Sequence, residues 1–126
     1  MTQSASSGAA GTDPTVAEPS EWLVLPDVAE RLGMPITRLH QMIKEGHLLA
    51  VRRDRVLRVP AELVANATVL KHLPGILTLL HDAGYNDEEA LRWLYTPDDT
   101  LPGTPAQALG GHGATEVKRR AQAVGF

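Results

Sequence analysis

The 126-residue chain has no cysteine, which excludes disulfide staples and thiolate metal sites, and it is long enough to bury one core. No run of about eighteen apolar residues occurs, so no membrane-spanning helix is expected, and the start lacks the basic and apolar segments of a secretory leader. The formal charge of −3 is unevenly spread: residues 36–60 hold six bases against two acids, whereas residues 61–126 hold five against eight.

Residues 1–20 are mostly Ser, Thr, Ala, Gly and Pro. So few large apolar residues cannot offset the entropy of ordering the backbone, and a disordered tail is expected. Its hydroxyls, Thr12 and Thr15 among them, serve either as modification sites or simply as part of a solubilising leader. A short apolar entry follows at residues 21–25, with Trp22 and Leu23 expected to pack beneath the next segment.

That segment, LPDVAERLGMPITRLHQMIKEG over residues 25–46, has the spacing of a helix-turn-helix. Ala29 is small where two helices must cross, and Gly33 can take the left-handed conformation that ends the first of them. Val28 and Leu32 form one apolar stripe. On the second helix, started by Pro35, helical geometry turns Ile36, Leu39, Met42 and Ile43 inward and leaves Thr37, Arg38, Gln41 and Lys44 outward, with His40 at the border. Residues 49–59 then alternate around the polar centre Arg53-Asp54-Arg55 and predict a small hairpin, a wing, ended by Pro60.

Beyond residue 60 the periodicity is helical. A modest helix or two is expected over residues 61–73, and a strongly apolar one ends at Gly84. Asn86 and Asp87 are placed to cap a third that carries Leu91, Trp93, Leu94 and Tyr95. A short PAQAL helix and a final ATEVKRRAQAV helix complete the chain. The expected organisation is therefore a tail (1–20), a winged helix-turn-helix (21–65) and a C-terminal helical region packed on it (66–126). The fold class is mainly α, with a short β-hairpin wing.

Two groups of residues carry chemistry. Thr37, Arg38, Gln41 and Lys44 suit a DNA-reading face: arginine forks onto guanine, glutamine pairs with adenine, and threonine and lysine hold phosphates. A plain solvated helix face would have similar residues, and the surrounding motif decides in favour of reading. Arg52, Arg53, Arg55 and Arg58 crowd the wing, where guanidinium groups grip phosphate or enter the minor groove. Four arginines exceed what a soluble strand edge needs. The five histidines show no metal-ligand spacing, and neither a phosphate loop nor a nucleophile elbow is present. No enzyme activity, cofactor or metal is expected.

The stretches VAERLGMP, EGHLLAVRR, LKHLPGILTLLHDAGY, RWLYTPD and EVKRRAQA resemble a family of actinobacterial winged helix-turn-helix DNA-binding proteins known as substrates of a membrane-anchored Ser/Thr protein kinase. The N-terminal module is also similar to helix-turn-helix proteins of excisionase and mercury-resistance-regulator type. The resemblance implies double-stranded DNA as partner, a transcriptional or nucleoid role in the cytoplasm, and phosphorylation of a tail threonine, for which Thr12 and Thr15 are candidates by position. A looser likeness, carried by Trp93, Leu94, Thr96-Pro97, Gly103, Thr104-Pro105, Leu109 and Val117, links the C-terminal half to antitoxin modules. It implies the alternative of a protein-interaction adaptor. A lone winged module offers a modest DNA contact, so a homodimer or loose specificity is expected.

Overall fold

The computed structural model describes residues 19–101 and 103–125, so residues 1–18 of the expected tail, with Thr12 and Thr15, lie outside the described residues. The apolar entry is a strand. β1 (Trp22–Val24) pairs antiparallel with β3 (Val56–Pro60), which pairs on its other side with β2 (Val51–Arg53). Leu23 lies opposite Val59, Val51 opposite Arg58 and Arg53 opposite Val56. Three residues are too few to show alternation in a sequence, and the partner strand lies far along the chain. The wing is therefore the outer hairpin of a three-stranded sheet.

α1 (Leu25–Leu32) and α2 (Ile36–Lys44) form the helix-turn-helix. Gly33 has φ 65° and ψ 39°; its N–H reaches the Glu30 carbonyl at 3.2 Å, and the Met34 N–H reaches that of Ala29 at 3.0 Å. Glycine takes this left-handed turn without the clash a Cβ brings. Val28 and Leu39 are fully buried and Ala29 nearly so. The inward stripe expected on α2 is narrower than its periodicity suggests. Met42 and Ile43 are half-buried, and Ile36 is 40% exposed. Two short helices that cross at one point cover little beyond it, and Ile36 sits in the first turn, past the contact made by Leu39.

The helix expected after Pro60 is a 3₁₀ helix, Ala61–Ala67, ended by positive φ at Ala67 and an extended Thr68. It packs against α1, β3 and α5 (Pro105–Leu109). α3 (Leu73–Asp82) lies along α6 (Ala114–Val124), and α4 (Asp87–Leu94) packs on both α3 and α5. Leu63, Val64, Leu73, Leu77, Leu80, Leu94 and Val117 join Val28, Leu39 and Val59 in one buried cluster. The C-terminal helices thus share a core with the winged unit.

Polar contacts fix this packing. Asn86 Oδ1 accepts from the Glu89 N–H at 2.8 Å while Glu89 Oε1 accepts from the Asn86 N–H at 2.9 Å, a reciprocal cap that starts α4. Tyr95 Oη donates to Glu62 Oε1 at 2.8 Å and ties the end of α4 to the 3₁₀ helix. Burial, reinforced by this carboxylate, holds the tyrosine hydroxyl far above its ordinary pKa. His81 Nε2 lies 3.2 Å from Asp87 Oδ1, and its ring packs beside Gly46 at the end of α2.

Leu94, Thr104, Leu109 and Val117, four of the residues on which the expected antitoxin likeness rests, are all buried within this chain. They serve its own core.

Candidate nucleic-acid interface

α2 is held on one side by Leu39, and its other faces are open. Thr37, Arg38, His40, Gln41 and Lys44 are all exposed. Arg38 and Lys44 form no ion pair among the described residues. The Gln41 amide donates to Glu45 Oε2 at 2.8 Å, a surface bond one helical turn long that readily exchanges for a ligand. The outward set expected from helical periodicity thus stands on one face. Ile36, at the start of the same helix, is exposed as well.

The wing divides its arginines. Successive side chains in a strand point to opposite faces, and cross-strand partners share a face. Arg52 shares a face with its partner Leu57, and Arg53 shares the other with Val56. The tip of the hairpin stands beside α2. Arg52, Arg55, Val56 and Leu57 line an open cleft of about 300 Å³ together with His40 of α2 and Val24, Leu25 and Pro26 at the start of α1. The guanidinium of Arg52 bonds only the Arg55 carbonyl, at 3.4 Å, so its charge remains exposed there.

Arg53 and Arg58, expected from the sequence to grip DNA beside Arg52 and Arg55, lie on the opposite face. Arg53 meets Glu88 of α4 through two bonds, at 2.7 and 3.2 Å, donates to the Arg52 carbonyl at 2.8 Å, and stacks 5.1 Å above the Trp22 ring. Arg58, opposite Val51 and Val24, is half-buried and lies 3.9 Å from Asp54. The forked Arg53–Glu88 pair is surface-exposed and contributes at most about 1 kcal/mol, with the stacking on Trp22 adding a similar amount. Its main consequence is positional: it fastens the wing to the C-terminal helices. The four wing arginines thus have two kinds of surroundings: Arg52 and Arg55 line the open cleft, whereas Arg53 and Arg58 lie near the carboxylates of Glu88 and Asp54.

The hairpin turn is itself unusual. Asp54 and Arg55 have φ of 54° and 70°, a pair of left-handed residues of the kind that joins strands through a two-residue turn. Glycine or asparagine normally fills such positions, and a side chain like arginine costs roughly 1–2 kcal/mol there. The strain places a guanidinium at the tip of the wing.

Sequence reasoning leaves three residues out of this surface: it sets His40 at the border of the helix face, turns Ile36 inward and does not single out Val56. Val56, 43% exposed, and Ile36 are the exposed large hydrophobics of the described chain. Two apolar side chains bare beside a cationic face are a signal visible only in three dimensions. Among the described residues no group of three or more His, Asp or Glu side chains is arranged to hold a metal. Among the described residues no helix is long and apolar enough to cross a membrane.

Comparison with known proteins agrees with this architecture. Residues 12–64 match the family described as "DNA-binding protein Rv2175c, wHTH domain", and residues 70–125 match the "Rv2175c C-terminal domain of unknown function". The chain is 46% identical over 115 residues to the DNA-binding protein Rv2175c of Mycobacterium tuberculosis (strain ATCC 25618 / H37Rv), covering 81% of this chain and 79% of that protein. Its fold is similar to the NMR structure of Rv2175c, with a TM-score of 0.78 and 39% identity over 94% of this chain and 97% of the other. The join between the two matched segments falls at residues 65–69, just where the 3₁₀ helix ends. With both segments present in order and nearly the whole chain covered, this is an actinobacterial-type winged helix-turn-helix protein that belongs to the Rv2175c family.

Proposed function

We propose that the chain binds double-stranded DNA, with α2 in the major groove and the wing on the adjacent backbone. The observation that carries this reading is the juxtaposition of an open, cationic helix face with the Arg52–Arg55 side of the wing in a chain whose net charge is negative. The DNA-binding relatives support it. Arg38 and Gln41 read base edges, Thr37 and Lys44 hold phosphates, and Ile36 meets a thymine methyl. Arg52 and Arg55 take the backbone or minor groove, while Arg53 and Arg58 support the wing from behind. The chain acts by binding and not by catalysis, without cofactor or metal.

Alanine at Arg38 or Gln41 is expected to cost roughly 1–3 kcal/mol on a preferred duplex and to relax preference at one or two base pairs. Lys44→Ala is expected to weaken all duplexes about equally. Fluorescence anisotropy over a panel of single-base variants separates the two patterns. A uniform loss for all three substitutions would show a helix that positions without reading.

We further propose a role as a transcriptional regulator or nucleoid factor in the cytoplasm, acting as a pair of copies on DNA or with loose specificity. Phosphorylation of Thr12 or Thr15 by a Ser/Thr kinase would add roughly −1.5 to −2 charge. Thr12 and Thr15 precede Trp22 by ten and seven residues, a length of chain that can span to the DNA-binding helix, where the added charge would oppose DNA phosphate. Thr12→Glu and Thr15→Glu are expected to weaken binding, and deleting residues 1–18 to remove the sensitivity without removing binding. Equal affinities for wild type, both mimics and phosphorylated protein would leave the tail without this role.

A further inference from the structure

The C-terminal helices hold a second concave site away from the wing. α3 and α6 flank an open groove of about 640 Å³, within the range of small-molecule sites. Ile76, Leu79, Gly75 and Ala114 give it an apolar lining, and Lys71, His72 and Lys118 stand at its rim. No carboxylate lines it, although acids outnumber bases in this half of the chain. Neither lysine is paired among the described residues, and the first turn of α3 holds no acid to offset the positive end of that helix.

Gly75 is the independent observation. It is the third residue of α3, in the first turn after Pro74. Its φ is not positive, and an added Cβ would meet nothing within 4 Å. Neither backbone conformation nor packing calls for glycine there. What the missing side chain does is keep the groove open.

From the charge of the rim and the apolar lining, we propose that the α3–α6 groove binds a small amphiphilic anion, an acyl carboxylate whose chain lies on Leu79, Gly75 and Ala114 and whose head meets Lys71 and Lys118. The chain's own residues 1–18 fit less well: Asp13 and Glu18 supply charge, but Met1 and Val16 are their only large apolar side chains. The site is separate from the DNA face and does not depend on the DNA reading.

Titration of the full-length protein with decanoate below its micelle concentration, followed by amide chemical shifts, tests the proposal. Saturable shifts confined to α3 and α6 are expected, with none from acetate, which lacks the chain, and weaker ones from decanol, which lacks the charge. Gly75→Leu fills the groove with a good helix former and is expected to reduce affinity at least tenfold while melting cooperatively. Gly75→Ala should melt higher than wild type and lose less affinity. Replacing Lys71 and Lys118 together with alanine should weaken binding about fivefold or more. Undiminished affinity in Gly75→Leu, shifts centred on the wing, or an absence of saturation would each overturn the proposal. Binding that emerges only after residues 1–18 are deleted would overturn it too, by making the tail the occupant.

Discussion

Replacing Arg52 and Arg55 together with alanine is expected to flatten the slope of log affinity against log salt by about 1.8, the release of two phosphate contacts on B-DNA. Arg53→Ala removes one unit of charge from the same hairpin, for which a phosphate contact would flatten the slope by about 0.9, yet it should barely change it. The difference lies in the partners: Arg52 and Arg55 line the cleft beside His40, whereas Arg53 is clamped between Glu88 and Trp22. Counterion release counts cations in contact with phosphate, and net charge elsewhere contributes little at physiological ionic strength, where the screening length is about 8 Å. Anisotropy titrations of one duplex at several salt concentrations give both slopes. Equal flattening by the double variant and by Arg53→Ala would move the DNA to the other side of the sheet. Arg55 adds a second readout. Glycine at that left-handed position should raise stability by about 1 kcal/mol while weakening DNA binding, which separates the cost of the turn from the use of its side chain.

Leu39→Ala is expected to destabilise the protein by about 2–5 kcal/mol, the range for truncating a fully buried leucine whose surroundings relax only in part. Against a total stability of roughly 5–15 kcal/mol, such a loss leaves a large unfolded fraction on mild heating. Leu39 is the fully buried residue of α2, and Ile43, which packs only partly on the same core, replaces little of its contact. Ile36→Ala, three residues earlier and chemically a similar truncation, should change stability by only about 0.5 kcal/mol because the side chain is already 40% exposed. If Ile36 meets a thymine methyl, its loss instead shows as relaxed preference at one base pair. Urea melts of both variants at constant m-value test the first contrast, and comparable destabilisation would mean that Ile36 packs inward after all.

The winged helix-turn-helix was legible because its signals are local. Ala29 and Gly33 must be small for reasons of crossing and turning, Asn86 caps a helix, and the outward set on α2 follows from 3.6-residue geometry alone. The shared family membership rests on the same contiguous stretches. Strand β1 was not legible, since its three residues acquire strand character only by pairing with β3. The 3₁₀ form of residues 61–67 escaped for a similar reason: apolar spacing does not separate two helix types over so short a run.

Period-two alternation already separates Arg52 from Arg53, but it does not say which of them meets DNA. That was decided by α2 and the start of α1 beside Arg52 and by Glu88 of α4 beside Arg53. Burial of Ile36 likewise depended on where a neighbouring helix stops, which no periodicity contains. The α3–α6 groove joins Lys71 to Lys118, residues far apart in the chain that become neighbours only when the two helices pack. Local sequence specifies turns, caps and helix faces, because those interactions span four residues or fewer. Which face is covered and which is left open to a partner is a property of contacts between distant segments, and it emerged only once the chain had folded.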